Sequence, residues 1–440
     1  MTTNKQSTSS ILSAPGARAL VGSSILARLP LAMFSIALLV NAQHLTGSFA
    51  VAGVVSGAYA IAGAAAAPML GRLVDRCGQT TVLVAGATVA AVVLVATGLA
   101  PASTPPAVLV ALATAAGIST PPLSACVRTL LPAMVSEPER LPALFAFEST
   151  VLELTFILGP PLALGLGALW STGAALAAAG VIMLVSTLAF AAQPTSRAWR
   201  PDPSAPRSRG GSLRSPAIVT LALLELGTGA VFGATEVGVT AAAKALGSTA
   251  AAGPLLGLWG FGSLLGGIAA TRLGGGARRA GGLILLLSAL AVAHGALTLV
   301  TGSVLGIAAV ILLAGATIAP TAATIYEMVD RFAPAGTATE AFSWGLTAAM
   351  TGEALGAAVA GGLVQSAGAV AAFAFAGAAG GVAVVIALLG SRGLNSGAHE
   401  PLAPKPAAPK PLAPKPLAPK PAAPKLAAPE PATVAQPQAA

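Results

Sequence analysis

The sequence predicts an all-α membrane protein with 12 transmembrane helices arranged as two six-helix halves. Of its 440 residues, 55% are hydrophobic and 8% are charged, whereas about a quarter of the residues in an ordinary soluble domain are charged. A helical span needs roughly 20 apolar residues, and about twelve such stretches follow one another along the chain. This composition cannot cover a water-facing surface, so a soluble globular fold is excluded.

The apolar stretches divide evenly around one polar segment. They cover approximately residues 22–44, 49–70, 81–100, 106–131, 143–166, 173–192, 216–241, 253–271, 280–300, 304–328, 341–363 and 369–391. The predicted organisation is an N-terminal cytoplasmic segment (1–19), a first half (20–192), a central loop rich in Pro, Ser and Arg (193–215), a second half (216–393) and a tail (394–440). Gly117–Pro122 is similar to Gly315–Pro320, which suggests internal duplication.

Arginines in the short loops predict the orientation in the membrane. The loops that follow the even-numbered stretches carry Arg72, Arg76, Arg140, Arg197, Arg200, Arg207, Arg209, Arg214, Arg272, Arg278, Arg279 and Arg331. The alternate loops contain one basic residue, Lys244. Short loops rich in Lys and Arg remain in the cytoplasm, so both termini are predicted to be cytoplasmic.

The tail has a composition of its own. From Pro401 it repeats a five-residue Pro/Lys unit, and such sequences favour extended, solvated polyproline segments. We predict a disordered cytoplasmic tail. Recruitment of partners through this tail is one alternative function for the chain.

The most specific local pattern is Gly71-Arg72-Leu73-Val74-Asp75-Arg76-Cys77-Gly78, which follows the second stretch. It resembles the signature of the major facilitator superfamily, in which a short loop reads Gly-x-Leu-x-Asp-Arg-x-Gly. The resemblance covers residues 20–393 and implies two six-helix halves around a central cavity. It also implies that Asp75 and Arg76 form a charge relay, which latches the halves together while the carrier faces outward. The matching positions are Gly71, Leu73, Asp75, Arg76 and Gly78.

A second resemblance lies in the fifth stretch. Gly159-Pro160-Pro161 is similar to the Gly-Pro element that drug and metabolite antiporters of the same family carry there. Both prolines lack a backbone donor, so they predict a bend in the helix. Among the directions of transport, the resemblance favours export.

Ionisable residues inside the stretches are the candidates for solute or proton binding. A charge at the centre of the bilayer costs at least about 2.5–3.5 kcal/mol and therefore faces a cavity or a partner. A carboxylate withdrawn from water can exchange protons near neutral pH, which motivates proton coupling. The same acids have a second interpretation as structural partners of Arg28 or Arg128. The candidates are Glu148, Glu153, Glu225, Glu236, Glu353 and Arg128.

Helical spacing relates some of these acids to one another. Glu225, Phe232 and Glu236 lie on a narrow stripe of the seventh helix, with the carboxylates roughly 16 Å apart along its axis. Such a stripe is typical of a cavity wall. In the fifth helix Glu148 and Glu153 point in different directions, so one of them alone can line that surface. Glu340 is expected in a solvated or inter-loop pair.

The preferred function is secondary transport, with proton-driven efflux of a small hydrophobic or drug-like metabolite across a bacterial plasma membrane. Efflux of a sugar-like solute is the alternative within the class. A lipid-modifying membrane enzyme is the alternative of another class, and the scarcity of Asp and His in the spans disfavours it. The expected partners are a small solute, a proton or other coupling ion and the bilayer. We expect a monomer with no cofactor. The two cysteines have no metal-ligand spacing, so no metal is expected. The basic residues are scattered rather than clustered, so no nucleic acid is expected.

Overall fold

A computed structural model of the chain describes residues 17–135, 137–200, 211–277 and 279–396. Helices are the regular elements of these ranges, which contain no strand. The predictions made for the first 16 residues, for the Pro/Lys tail and for Arg207, Arg209 and Arg278 lie outside the described residues.

The membrane-length helices, which we call spans and number in chain order, match the predicted stretches. Spans 1 to 6 are Ala17–Thr46, Phe49–Cys77, Gln79–Gly98, Pro106–Met134, Leu141–Leu169 and Thr172–Ala192. Spans 7 to 10 are Pro216–Ala245, Ala252–Arg272, Ala280–Gly295 and Val304–Phe332. Short helices at Pro138–Arg140, Pro194–Ala198, Ser212–Arg214, Thr249–Ala251 and Ala296–Leu299 lie between them.

The last helical stretch, Ala338–Ser396, contains two spans. Its 59 residues would extend about 88 Å at 1.5 Å per residue, whereas the hydrocarbon core is about 30 Å thick. Gly368 interrupts the stretch with φ 71° and ψ −171°. This conformation is open to glycine, which has no Cβ. Span 11 therefore ends and span 12 begins at Gly368, and the described residues form the 12 spans that the sequence predicts.

Spans 4 and 10 are broken at corresponding positions. Span 4 consists of Pro106–Ser119 and Leu123–Met134, and span 10 consists of Val304–Gly315 and Ile318–Phe332. Both breaks fall within the two similar sequence segments. The internal similarity thus corresponds to a shared irregularity of the two halves.

Span 5 continues as a helix through Pro160 and Pro161. Its Gly159 crosses span 1 closely, because a Cβ at this position would lie 2.6 Å from the Cβ of Ala32. The small residue of the Gly-Pro element therefore allows two helices of the first half to touch. This close crossing is the contribution to packing that the structure assigns to Gly159.

The hydrophobic cores show where the two halves meet. At the end of the bundle that carries the arginine loops, which we call the basic end, one core combines Leu123 and Phe145 of the first half with Leu224 and Phe342 of the second. Toward the opposite end, each buried cluster belongs to a single half. The halves are therefore joined at the basic end and have separate cores toward the opposite end.

Spans 7 and 11 pack with their backbones in contact. Gly229 and Gly233 of span 7 lie against backbone atoms of Ala349 and Glu353, and Gly352 and Gly356 of span 11 lie against those of Leu226 and Ala230. A Cβ at any of these glycines would overlap the partner backbone. Small residues four positions apart commonly allow such close packing in lipid. The packing fixes the two helices that carry Glu225, Glu236 and Glu353.

We predict that Gly356→Val destabilises the protein, because its side chain has no room against Ala230. Overpacking of this kind costs about 1–3 kcal/mol, and the midpoint of thermal unfolding in detergent should fall. Gly361→Val is the matched control in the same helix, since no heavy atom lies within 4 Å of a Cβ at that position. Equal shifts in the two variants would contradict this account of the packing.

Candidate functional site

Asp75, near the end of span 2, binds the beginning of span 11. Its Oδ1 accepts a hydrogen bond from the backbone N–H of Thr339 at 3.1 Å, and its Oδ2 accepts one from Glu340 at 2.8 Å. The first N–H groups of a helix have no partner within the helix, and the helix dipole favours a negative charge there. A carboxylate of the first half therefore caps a helix of the second half.

Further polar contacts surround this cap. Arg72 Nε donates to Glu340 Oε2 at 3.1 Å, and the backbone N–H of Ser212 donates to Glu340 Oε1 at 3.3 Å. The hydroxyls of Thr129 and Thr339 lie 3.2 Å apart. We call Asp75, Arg72, Glu340, Thr129 and Thr339 the latch. Of the two settings expected for Glu340, the structure shows pairing with another segment rather than solvation: the residue is 5% exposed within the contact between the halves.

The signature residues contribute unequally to the latch. Gly71 lets span 2 approach span 11, since a Cβ there would lie 2.6 Å from Ser343 Oγ. Gly78 separates spans 2 and 3 with a φ of 94°. Leu73 and Arg76 are exposed, and Arg76 makes no ion pair with any described residue. In this state the basic member of the predicted relay is therefore Arg72 rather than Arg76.

Three charged side chains of the first half form a buried cluster, which we call the Arg-Glu-Arg triad. Glu148 of span 5 binds Arg28 of span 1 at 2.5 Å and Arg128 of span 4 at 3.2 Å. All three are at most 4% exposed. The Arg128 guanidinium also lies 3.5 Å from the ring centroid of Tyr326 in span 10. The structure thus shows the pairing that the structural interpretation of Glu148 and Arg128 anticipates.

Glu225 and Glu236 lie on one face of span 7. They are 11 residues apart, which places them within about 20° of each other around the helix. This face lies between the glycine face packed on span 11 and the face from which Phe232 packs edge-on against Trp259 of span 8, with 5.5 Å between ring centroids. It therefore points toward the centre of the bundle. Glu225 is buried near the joined basic end, and Glu236 is exposed nearer the opposite end.

Glu353 of span 11 faces the same central space. It is 11 residues after Phe342 and hence on nearly the same side of the helix. The Phe342 ring lies 6.3 Å from that of Phe145 in span 5 and 6.5 Å from that of Tyr326 in span 10, which fixes the direction of this side. Glu353 is exposed, and its carboxylate interacts electrostatically with that of Glu236.

Glu153 is the acid of span 5 that is turned toward the centre. It is half-buried beside Ser263 of span 8, whereas Glu148 is turned toward span 1. Both Glu153 and Glu225 interact electrostatically with Tyr326. We call Glu153, Glu225, Glu236 and Glu353 the central acids. None of these four carboxylates forms an ion pair with a described Lys or Arg.

His294 of span 9 lies in the core of the second half. His294 is fully buried, accepts a hydrogen bond from Trp259 Nε1 at 3.1 Å and has its Nδ1 2.8 Å from the carbonyl oxygen of Leu290. The bond to Trp259 joins spans 8 and 9, so His294 contributes to helix packing. The described residues contain no group of three or more His, Cys, Asp and Glu that is suited to hold a metal ion.

Two six-helix halves with acids at their interface have the architecture of an alternating-access carrier. The chain belongs to the Major Facilitator Superfamily, whose sequence profile matches residues 20–348. No curated protein matches the chain significantly.

Solved structures share this fold at low sequence identity. An outward-facing bacterial homologue of the iron transporter ferroportin is 18% identical with a TM-score of 0.69, over 85% of this chain and 99% of that chain. The human organic anion transporter MFSD10 (TETRAN) is 17% identical with a TM-score of 0.65, over 84% and 99%. The proton:xylose symporter XylE is 13% identical with a TM-score of 0.67, over 84% and 94%.

For the Arg-Glu-Arg triad we predict that Glu148→Gln is more destabilising than Arg28→Met. The first change leaves two buried guanidinium groups without a counter-charge, and breaking a buried ion pair costs about 3–5 kcal/mol. The second leaves Arg128 and Glu148 as a balanced pair. Thermal unfolding in lipid nanodiscs measures both, with Glu137→Gln in the exposed loop as control. An equal or smaller effect of Glu148→Gln would refute this electrostatic account.

Proposed function

We propose that this carrier exports a small hydrophobic or drug-like metabolite from a bacterial cell by alternating access, in exchange for protons. The observation that carries the proposal is the set of central acids, which face the space between the halves without an ion-pair partner among the described residues. An intramembrane carboxylate of this kind is expected to serve transport. Glu225 is the proposed proton-exchange group, because it lies deepest on the central face of span 7.

The latch and the arginine loops support the order of steps in this proposal. The positive-inside bias favours a cytoplasmic position for the basic end and for both termini, and the latch closes that end. In this state the central acids are accessible from the external solution, from which they take up protons as solute leaves. Opening of the basic end then lets the acids release protons inward and lets new solute enter from the cytoplasm.

The surroundings of the central acids favour an apolar solute with a positive charge. Phe232, about one turn before Glu236 on span 7, packs against Trp259. The arginines of the latch and of the Arg-Glu-Arg triad are already bound to Glu340 and Glu148. The resemblance of Gly159-Pro160 to the element of drug and metabolite antiporters favours export. The similar structures are named for iron, organic anion and xylose transport and favour no single solute.

We predict that Glu225→Gln uncouples proton movement from solute movement. The purified protein is placed in vesicles with an imposed proton gradient, and a pH-sensitive dye follows the addition of hydrophobic cations or sugars. An active solute should dissipate the gradient in the wild type, and Glu225→Gln should slow this dissipation at least tenfold. Glu137→Gln, outside the spans, should behave as the wild type.

The same measurement separates the alternatives. Proton movement induced by sugars but not by hydrophobic cations would replace the proposed solute with a sugar-like one. Solute flux without proton movement in the wild type would refute proton coupling and indicate a uniporter or another coupling ion.

A further inference from the structure

The central face of span 7 presents a carboxylate, an aromatic ring and a second carboxylate in sequence. Glu225, Phe232 and Glu236 lie within about 40° of one another around the helix, and the two acids are roughly 16 Å apart along it. Phe232 lies between the acids and is partly exposed. From the basic end toward the opposite end, the face therefore presents a negative group, then an apolar group, then a second negative group.

Glu225, at the inner end of this face, is a buried carboxylate without a bonded partner. It is 8% exposed, and its carboxylate makes no hydrogen bond or ion pair with any described residue. Buried charges are normally paired, as Glu148 and Glu340 are here. Arg128 interacts electrostatically with Glu225, but its guanidinium is bonded to Glu148 and stacked on Tyr326. Glu225 therefore lacks a cationic partner of its own.

The outer end of the face brings two like charges together. Gly233, one turn before Glu236, lies on the carbonyl oxygen of Glu353, so the two acids project from adjacent helices at a similar depth. Their carboxylates interact electrostatically, and both residues are exposed. A cation placed between them would relieve their repulsion.

We propose that the transported solute is an elongated organic dication with an apolar middle. One positive group binds Glu225, the apolar middle lies along Phe232, and the second positive group binds between Glu236 and Glu353. This inference rests on the proposed function and names its substrate class. Exchange of one dication for two protons moves two positive charges in each direction and therefore no net charge across the membrane.

Equilibrium binding to the purified full-length protein in nanodiscs, with no proton gradient, tests the inference by calorimetry. The probes are decamethonium, which has a trimethylammonium group at each end of a ten-carbon chain, and decyltrimethylammonium, which has one. Decamethonium should bind at least tenfold more tightly to the wild type, a factor that corresponds to about 1.4 kcal/mol. Hexamethonium, whose chain is shorter, should bind more weakly than decamethonium.

Variants assign the two ends of the site. Glu225→Gln and Glu236→Gln should each remove most of the advantage of decamethonium over decyltrimethylammonium, while Glu137→Gln retains it. Size-exclusion profiles and unfolding midpoints of the variants establish that they are folded. Phe232→Ala should weaken both ten-carbon probes by a similar factor.

Equal affinity of the wild type for the two ten-carbon probes would overturn the inference. So would an unchanged decamethonium affinity in folded Glu225→Gln and Glu236→Gln. If that failure accompanies proton movement driven by hydrophobic monocations and abolished by Glu225→Gln, the proposed function stands and the substrate class is wrong. Tight decamethonium binding without proton movement would instead refute the proton coupling alone.

Discussion

The arrangement of the two halves depends on one carboxylate. Asp75 receives the two backbone N–H groups that begin span 11, and these groups have no partner within their own helix. The contact joins the first turn of a helix of one half to the last turn of a helix of the other, so it exists in the state that is closed at the basic end. The Arg72–Glu340 pair and the Thr129–Thr339 contact involve the same two residues of span 11 that Asp75 binds.

Span 11 connects this latch to the central acids. The helix that Asp75 caps also carries Glu353, and it is held to span 7 by backbone contacts at Gly352 and Gly356. At these crossings no side chain separates spans 7 and 11, so we expect a movement of the capped end to reach the wall that bears Glu225 and Glu236. On this account, a change at the latch and a change of access to the acids are two results of one helix movement.

Much of the fold follows from the sequence, and the site follows in part. The lengths of the apolar stretches predicted the spans, and the signature pattern predicted that Asp75 helps to join the two halves. Helical spacing related Glu225 to Glu236 and separated Glu148 from Glu153, but it could not tell which side of a helix faces the centre. The roles of Arg72 and Glu340 depend on a contact between residues 268 positions apart, which no local pattern contains. Arg72 also occupies a variable position of the signature.

Cross-linking across the latch tests the central claim most directly. Thr129→Cys and Thr339→Cys, in a Cys77→Ser/Cys126→Ala background, replace two hydroxyls that lie 3.2 Å apart. A disulfide should form readily in this protein and should form several-fold more slowly when Asp75→Asn is added, because the charged cap is lost, while Glu137→Gln leaves the rate unchanged. Equally rapid cross-linking with Asp75 and with Asn at that position would show that the carboxylate does not hold the halves together.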